Sequence, residues 1–272
     1  VHESDLILAA GYDPIEMRAG WRNPWGETGK VIEFTAVPNT HYMHQADLSF
    51  VGHIGEGLKI LRRGVLHSPV WKESEPRNVR NHLKSIFSGK DEWGPSLVIE
   101  TVRKILPANG VATVDSGAHR ILLNHVWECY EPRGLLQSTG FCTMGCAVPL
   151  AMGFQLATPE RPVVAFTGDA GLEMVLGELA TLRDLKLPIV IVVFVDESLA
   201  LIELKQRSYG MPNLGVDFGS TNFPKVAESL GGEGKWISDR SGLIDAFKGA
   251  FERKTFSLLA CKIGYKVYDD RF

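Results

Sequence analysis

Two acidic residues in this sequence each follow an apolar run that is typical of a buried strand. Asp169 comes directly after PVVAFTG, and Asp196 comes directly after PIVIVVFV. In a parallel sheet the carboxyl ends of the strands lie along one edge, so the two side chains are predicted to lie close together and to share one cation. Mg²⁺ prefers oxygen ligands and commonly takes one or two carboxylates together with phosphate oxygens. The pattern therefore predicts a metal site at this edge of the sheet.

A glycine-rich turn surrounds the first of these carboxylates. Gly168 and Gly171 flank Asp169 in the segment GDAG and are expected to permit a tight turn between the predicted strand and the next helix. The first backbone N–H groups of a helix have no partner inside the helix, which makes such a turn an anion site suited to a phosphate or diphosphate. The turn alone is a weak signal, because many strand-to-helix turns contain Gly and Asp. With two carboxylates beside it, it predicts a metal–diphosphate site, and the spacing matches neither the Walker phosphate loop nor the dinucleotide fingerprint.

The motifs resemble those of the thiamine-diphosphate-dependent enzymes. GDAG followed by LPIVIVVFVDES resembles the diphosphate-binding signature of that family, a Gly-Asp-Gly turn followed one strand later by an Asn pair or Asn-Asp. The segments VDSGAHR and STGFCTMGCAVPLAMGFQLA resemble two further cofactor segments. The resemblance covers most of residues 96–272, and residues 1–64 resemble the later part of the family's central domain. The acetolactate-synthase-like group of 2-oxo-acid enzymes fits best.

The resemblance implies a thiamine diphosphate cofactor held through Mg²⁺. The implied metal ligands are the side chains of Asp169 and Asp196 and the backbone carbonyl of Ser198. The implied cofactor contacts are Gly117, Ala118, His119, Cys142, Met144, Gly168, Ala170, Gly171, Ser198, Leu199, Ala200 and Leu201.

Met144 and Cys142 have individual roles in this assignment. The resemblance implies that Met144 wedges under the bent cofactor between its two rings, and that the Cys142 carbonyl accepts a hydrogen bond from the cofactor's amino group. Without the resemblance, Met144 is more simply a core residue of the apolar segment Met144–Leu156. Both interpretations of Met144 stay open at this point.

Three positions depart from the family pattern. Ala170 stands where the turn usually has Gly, which fits if its backbone keeps a negative φ. Val195-Asp196 stands where an Asn pair is expected, and Asp in place of Asn keeps an oxygen ligand for the metal. Cys142 stands where Gly is usual.

The family's catalytic Glu lies on a separate, N-terminal pyrimidine-binding domain, and no such domain is seen ahead of Val1. We therefore expect no catalytic Glu in this chain. We expect a companion chain that supplies that domain, either the other subunit of a split enzyme or the other piece of a cleaved one, in a homo- or hetero-oligomer that is a dimer or tetramer of assemblies.

The elements that position these residues predict an α/β protein. The strands LILAAG, VIEFTAV and LSFVG and the helix GEGLKILRRG predict that residues 1–64 are the second half of a Rossmann-like central domain. Residues 65–95 have the charge, Pro and Gly content of a linker, with a short helix near Val79–Phe87. Residues 96–272 alternate helices, among them Met144–Leu156 and Leu172–Leu185, with continuously apolar strands, which indicates a doubly wound parallel sheet covered on both faces.

Composition excludes several classes of protein. The chain has 272 residues, 44% of them hydrophobic and 22% charged, which is typical of a globular protein. A formal net charge of −3 gives no basic surface for nucleic acid. No apolar run approaches the roughly 18 residues of a membrane span. Four cysteines are too few for a disulfide scaffold, so a cytoplasmic location is expected.

The sequence leads to two functional hypotheses. The first is a thiamine-diphosphate- and Mg²⁺-dependent enzyme, a lyase or transferase acting on a small 2-oxo acid by decarboxylation with or without acyl transfer. The alternative is a non-catalytic nucleotide- or CoA-binding module that uses the same glycine-rich turn.

Overall fold

The computed structural model describes residues 1–14, 22–65, 72, 74–89, 92–264, 266–269 and 271. The chain divides into two compact units, Val1–Lys72 and Glu73–Phe272. The predicted division into 1–64, 65–95 and 96–272 stays a prediction, since positions 66–71, 73, 90 and 91 of the predicted linker lie outside the described residues. In the described part of the chain, no helix is both long and apolar enough to cross a membrane.

Within its described residues, the first unit contains a parallel sheet of three strands and one helix, as predicted. The elements are β1 (Leu6–Ala10), β2 (Lys30–Thr35), β3 (Leu48–Val51) and α1 (Ile54–Gly64), with β2 at the centre of the sheet. On β2 the side chain of Glu33 is buried. Its carboxylate lies 2.9 Å from His44 Nε2 and accepts a hydrogen bond from Ser49 Oγ at 2.9 Å. Such partners offset the free-energy cost of burying the charge.

The second unit alternates helices and strands around one sheet. Its elements are α2 (Glu75–Phe87), α3 (Pro95–Ile105), β4 (Val111–Val114), α4 (Ala118–Val126), β5 (Leu135–Gln137), α5 (Ala147–Ala157), β6 (Val163–Gly168), α6 (Asp169–Glu173), α7 (Glu178–Leu185), β7 (Val190–Val195), α8 (Ala200–Ser208), α9 (Phe223–Ser229), β8 (Glu233–Ile237), α10 (Arg240–Phe247), a 3₁₀ turn (Ala250–Glu252) and β9 (Ser257–Lys262). The strands lie in the order β5-β4-β6-β7-β9-β8 and pair in parallel. The predicted α/β fold is confirmed.

Helices cover both faces of this sheet. Helices α3, α4 and α10 pack on one face, and α5, α7 and α9 pack on the other. Along β6, Val164 and Phe166 join the first layer, while Val163 and Ala165 join the second. On β6 and β7, successive apolar side chains therefore pack into alternate helix layers, which explains why these two strands are continuous apolar runs rather than alternating with polar residues.

The strand order creates a crevice at one point of the sheet. The chain leaves β4 toward β5 on one side and leaves β6 toward β7 on the other. This reversal is a topological switch point, and doubly wound proteins bind ligands beyond the carboxyl ends of the strands there. The segments that follow β4 and β6 begin at Asp115 and Asp169.

Two predicted helices differ from those observed. The segment predicted as one helix, Leu172–Leu185, is interrupted after α6 by tight turns in which the Val175 and Glu178 N–H groups donate to carbonyls three residues earlier. The predicted helix Met144–Leu156 begins only at Ala147, because Gly145 has the left-handed φ of +79°. Met144 therefore lies in a turn rather than on a helix face.

Strand β8 was not predicted from the sequence. It is an edge strand with mostly exposed or half-exposed residues, so the segment lacks the apolar run by which the buried strands were recognised. Its pairing with β9, at Glu233 to Ser257 and Ile237 to Cys261, depends on the tertiary fold.

Candidate functional site

A cavity of about 160 Å³ lies at the crevice of the second unit. It is lined by residues from the segments that follow β4, β6 and β7, which the switch-point topology brings together. The predicted site residues that line it are Gly117, Ala118, His119, Met144, Gly168, Asp169, Ala170, Gly171, Asp196, Ser198, Leu199, Ala200 and Leu201. Ser116, Phe194, Ile202 and Tyr268 line it as well.

Cys142 is the predicted contact that does not line this cavity. Its backbone has the left-handed φ of +51°, and its N–H donates to Ser138 Oγ at 3.2 Å. The role implied for its carbonyl stays a prediction.

The glycine-rich turn is built differently from the expectation. Gly168 has an ordinary extended backbone with φ −79° and ψ 163°, and Gly171 lies inside the short helix α6. Neither glycine is needed for a left-handed turn. A Cβ on Gly171 would overlap the Asp115 carboxylate and approach Thr167 Oγ1 to 3.0 Å, so glycine is required there by close packing. Ala170 lies in the same helix and has no positive φ, as its fit to the motif requires.

The two predicted metal-binding carboxylates lie beside each other. Asp169 is buried, and its carboxylate accepts hydrogen bonds from the N–H groups of Ala170 at 2.8 Å, Asp196 at 3.1 Å and Glu197 at 2.8 Å. Glu197 adopts the left-handed region with φ +58°. Such a conformation is unfavourable for a residue with a side chain.

Burial and mutual repulsion alter the acidity of this pair. Burial raises the pKa of Asp169. Burial, together with repulsion from Asp169, raises the pKa of Asp196 to about 7. A cation between the two carboxylates would favour their charged forms.

The rest of a metal coordination sphere would come from other groups. Among the described residues, no cluster of three or more His, Cys, Asp or Glu side chains has the geometry to hold a metal ion. A cation bound by Asp169 and Asp196 would complete its coordination with backbone carbonyls, water or phosphate oxygens, which is usual for Mg²⁺. Ser198, the third predicted ligand, directs its hydroxyl to Asp217 Oδ1 at 2.8 Å, so only its backbone carbonyl suits the predicted role.

Besides Ser116, Phe194 and Ile202, sequence reasoning missed two titratable residues at the site. Asp115 is buried at the end of β4 and lies 2.8 Å from His119 Nε2. Tyr268 is buried at the cavity, and burial raises its pKa well above the usual value. The bidentate contact of Arg207 with Asp269, at 3.0 and 2.6 Å, ties the segment that contains Tyr268 to helix α8. Only the position of Asp115 at a strand end was readable from the sequence.

Comparison with known proteins gives a family match over this unit. Residues 115–261, more than half of the chain, match the family described as "Thiamine pyrophosphate enzyme, C-terminal TPP binding domain".

Similar proteins include two acetolactate synthases. The chain is 27% identical over 256 residues to acetolactate synthase of Bacillus subtilis, which covers 91% of this chain and 45% of that protein. It is 24% identical over 275 residues to the catabolic acetolactate synthase of Raoultella terrigena, covering 98% of this chain and 49% of that protein. The chain thus spans about half the length of these relatives.

A solved structure shows the same fold. The thiamine diphosphate-dependent 4-hydroxybenzoylformate decarboxylase of Rhodococcus jostii RHA1 has a TM-score of 0.75 with this chain at 19% identity, over 96% of this chain and 49% of that structure.

Proposed function

Because this chain belongs to the thiamine pyrophosphate enzyme family, we propose that its second unit binds thiamine diphosphate and Mg²⁺ in an enzyme that acts on a small 2-oxo acid. The observation that carries the proposal is the pair of carboxylates, buried Asp169 and half-buried Asp196, at the edge of a cavity that opens at the switch point of the sheet. Their oxygen donors fit a hard cation, and a diphosphate would supply its remaining ligands.

The proposed cofactor contacts follow the lining of the cavity. Asp169, Asp196 and the carbonyl of Ser198 would hold Mg²⁺. Gly117 to His119 and Gly168 to Gly171 would surround the diphosphate, and Leu199 to Leu201 would line the cofactor. When bound, thiamine diphosphate supplies a nucleophilic carbon and an electron sink for cleaving the bond beside the carbonyl group of a 2-oxo acid.

The chain's own residues would position the cofactor rather than transfer protons. Asp169 and Asp196 would bind and orient the metal, while Met144, half-buried at the cavity and outside both core clusters, would support the cofactor's rings. The family resemblance places the catalytic Glu on a pyrimidine-binding domain.

We propose that this domain comes from a segment outside these 272 residues, within an oligomer. The two acetolactate synthases are about twice as long as the region they share with this chain, so their length leaves room for such a domain.

The proposed reaction is decarboxylation of the 2-oxo acid, with or without transfer of the resulting acyl unit, by an acetolactate-synthase-like lyase or transferase. Similarity to two acetolactate synthases supports this class. The four cysteines are free thiols, which agrees with a reducing cytoplasm as the proposed location.

Calorimetric titration tests the cofactor assignment directly. We expect the protein to bind thiamine diphosphate and inorganic pyrophosphate only when Mg²⁺ is present, and to bind thiamine, which lacks the diphosphate, much more weakly. Asp169→Ala should abolish the Mg²⁺-dependent binding, because it removes a metal ligand. Asp184→Ala is the matched control, since Asp184 is an exposed aspartate whose ion-pair partner is Arg183.

Two outcomes would overturn the proposal. The first is unchanged binding in the Asp169→Ala variant. The second is binding of ATP or CoA without Mg²⁺ in place of thiamine diphosphate, which would instead support the binding-module hypothesis.

A further inference from the structure

The carboxylate of Asp115 lies at the meeting point of three segments around the cavity. Its Oδ1 atom lies 2.8 Å from His119 Nε2. Its Oδ2 atom accepts the Gly145 N–H at 2.7 Å and the Thr167 hydroxyl at 2.9 Å. The side chain is fully enclosed, so these three donors take the place of water. One carboxylate therefore connects the start of the helix after β4, the turn before α5 and the end of strand β6.

The contact with Asp115 determines which nitrogen of His119 carries a hydrogen. A carboxylate only accepts hydrogen bonds, so Nε2 must be the donating nitrogen. The opposite edge of the ring faces the glycines of the cavity, since a Cβ on Gly168 would lie 3.4 Å from His119 Cε1 and 3.6 Å from Nδ1. The ring also packs against Phe194 with 5.6 Å between centroids. Asp115 thus fixes the orientation in which His119 presents its Nδ1 edge on the cavity side.

The second oxygen of Asp115 holds the turn that contains Met144. Gly145 has φ +79°, and a Cβ there would approach the Gly171 carbonyl oxygen to 2.9 Å. The hydrogen bond from Gly145 N–H to Asp115 keeps this turn against helix α6. Met144, the residue before it, lines the cavity. The same carboxylate therefore determines where Met144 enters the site.

We propose that Asp115 is a positioning residue that holds His119 on the diphosphate side and Met144 on the ring side of the cofactor site in one arrangement. The inference rests on the proposed function, because it assigns those two sides to a bound thiamine diphosphate. A purely structural carboxylate would affect folding alone and would leave ligand affinity of the folded protein unchanged.

A mutant cycle with Mg²⁺ and inorganic pyrophosphate separates these roles. We expect Asp115→Ala to weaken pyrophosphate binding by about tenfold, the effect of losing one hydrogen bond to a charged group. In a His119→Ala background Asp115 has no histidine to position, so the same substitution should change pyrophosphate affinity by less than about twofold, which is the usual scatter in comparisons of such variants. Thr167→Val is the matched control, because it removes one donor to Asp115 and leaves the His119 and Gly145 contacts in place.

Thiamine diphosphate tests the Met144 side of the proposal. In the His119→Ala background, Asp115→Ala should still weaken binding of thiamine diphosphate, because the turn at Gly145 loses its anchor, while pyrophosphate binding hardly changes. An equal loss of pyrophosphate affinity in both backgrounds would overturn the proposal.

Nuclear magnetic resonance of ¹⁵N-histidine-labelled protein gives a test that needs neither ligand nor the alanine variant. In the unsubstituted protein we expect the His119 hydrogen on Nε2. In Asp115→Asn, the amide oxygen can accept from Gly145 and Thr167 while its NH₂ group donates to His119, so the hydrogen should move to Nδ1. A hydrogen on Nδ1 in the unsubstituted protein would refute the inference. Failure of that protein to bind Mg²⁺-pyrophosphate would refute the proposed function instead, and the tautomer measurement would still test the Asp115 contact.

Discussion

Replacing Gly171 with alanine tests the packing of the glycine-rich turn, because two physical effects oppose each other there. Gly171 lies in helix α6, where alanine is favoured over glycine by about 1 kcal/mol on helix propensity alone. The new Cβ would overlap Asp115 Oδ2 and lie 3.0 Å from Thr167 Oγ1. Because both neighbours are buried, neither can move into solvent.

The steric effect should outweigh helix propensity. Overpacking a filled interior costs about 1–3 kcal/mol. Displacing the Asp115 carboxylate would also weaken its hydrogen bonds, and a buried donor left without a partner costs about 1–3 kcal/mol. We therefore expect Gly171→Ala to lower the free energy of unfolding by about 1–5 kcal/mol after the propensity gain of about 1 kcal/mol is subtracted. At about 2–4 °C per kcal/mol, the melting temperature should fall by at least about 2 °C.

The matched control is Gly177→Ala, the same substitution at a helical backbone position with φ −60° and ψ −28°. A Cβ there meets no atom within 4 Å, so the variant should be stabilised by up to about 1 kcal/mol. Thermal unfolding followed by circular dichroism compares the two variants with the original protein.

A second background identifies the atom responsible for the loss. In Asp115→Ala, the oxygen that the new Cβ would overlap is absent, so Gly171→Ala should then have little effect on the melting temperature. A Gly171→Ala protein as stable as Gly177→Ala, or an equal loss in both backgrounds, would refute the packing argument.

Four further expectations follow from the structure. Asp196→Asn should largely retain Mg²⁺-dependent binding of thiamine diphosphate in calorimetry, because Asn keeps an oxygen ligand, and complete loss would contradict the assigned donor. Met144→Ala should lower turnover of the complete enzyme more than cofactor affinity; a core role would instead cost about 2–5 kcal/mol of stability with normal activity in the folded fraction. Burial alone would raise the pKa of Glu33, but hydrogen bonds from His44, Ser49 and Asn39 outweigh it and lower the pKa from 4.5. The stabilising contribution of the Glu33 carboxylate is therefore present above pH 4.5 and is lost as the pH falls below that value. Thermal melts above and below pH 4.5 should show this loss of stability in the original protein and a smaller loss in Glu33→Gln. Native mass spectrometry of the enzyme purified from its source should find the second unit together with a pyrimidine-binding segment, and an active homo-oligomer of these 272 residues alone would exclude that arrangement.

Elements that are defined by local pattern were predictable from the sequence. Strands β6 and β7 are buried on both faces, so each is a continuous apolar run, and the residue after each run is a carboxylate at the sheet edge. The Gly-Asp-Ala-Gly segment lies between a strand and a helix, which made it a candidate anion site. These signals depend on neighbouring residues in the chain, which is why Asp169 and Asp196 could be placed at the sheet edge before the fold was known.

The remaining features depend on contacts between distant segments. Strand β8 exists because β9 offers it an edge, and Tyr268 reaches the cavity because its segment is held against α8. The sequence indicated that Gly171 is a turn residue. In the structure, glycine is required at this position because the side chains of Asp115 and Thr167, which lie 52 residues apart in the chain, leave no room for a Cβ. Strand order decides which chain segments meet at the switch point, and burial then decides which donors a carboxylate such as Asp115 must find there. The local sequence determines neither the strand order nor the burial of a side chain, so only the tertiary structure identifies the contacts of Asp115 with His119, Gly145 and Thr167.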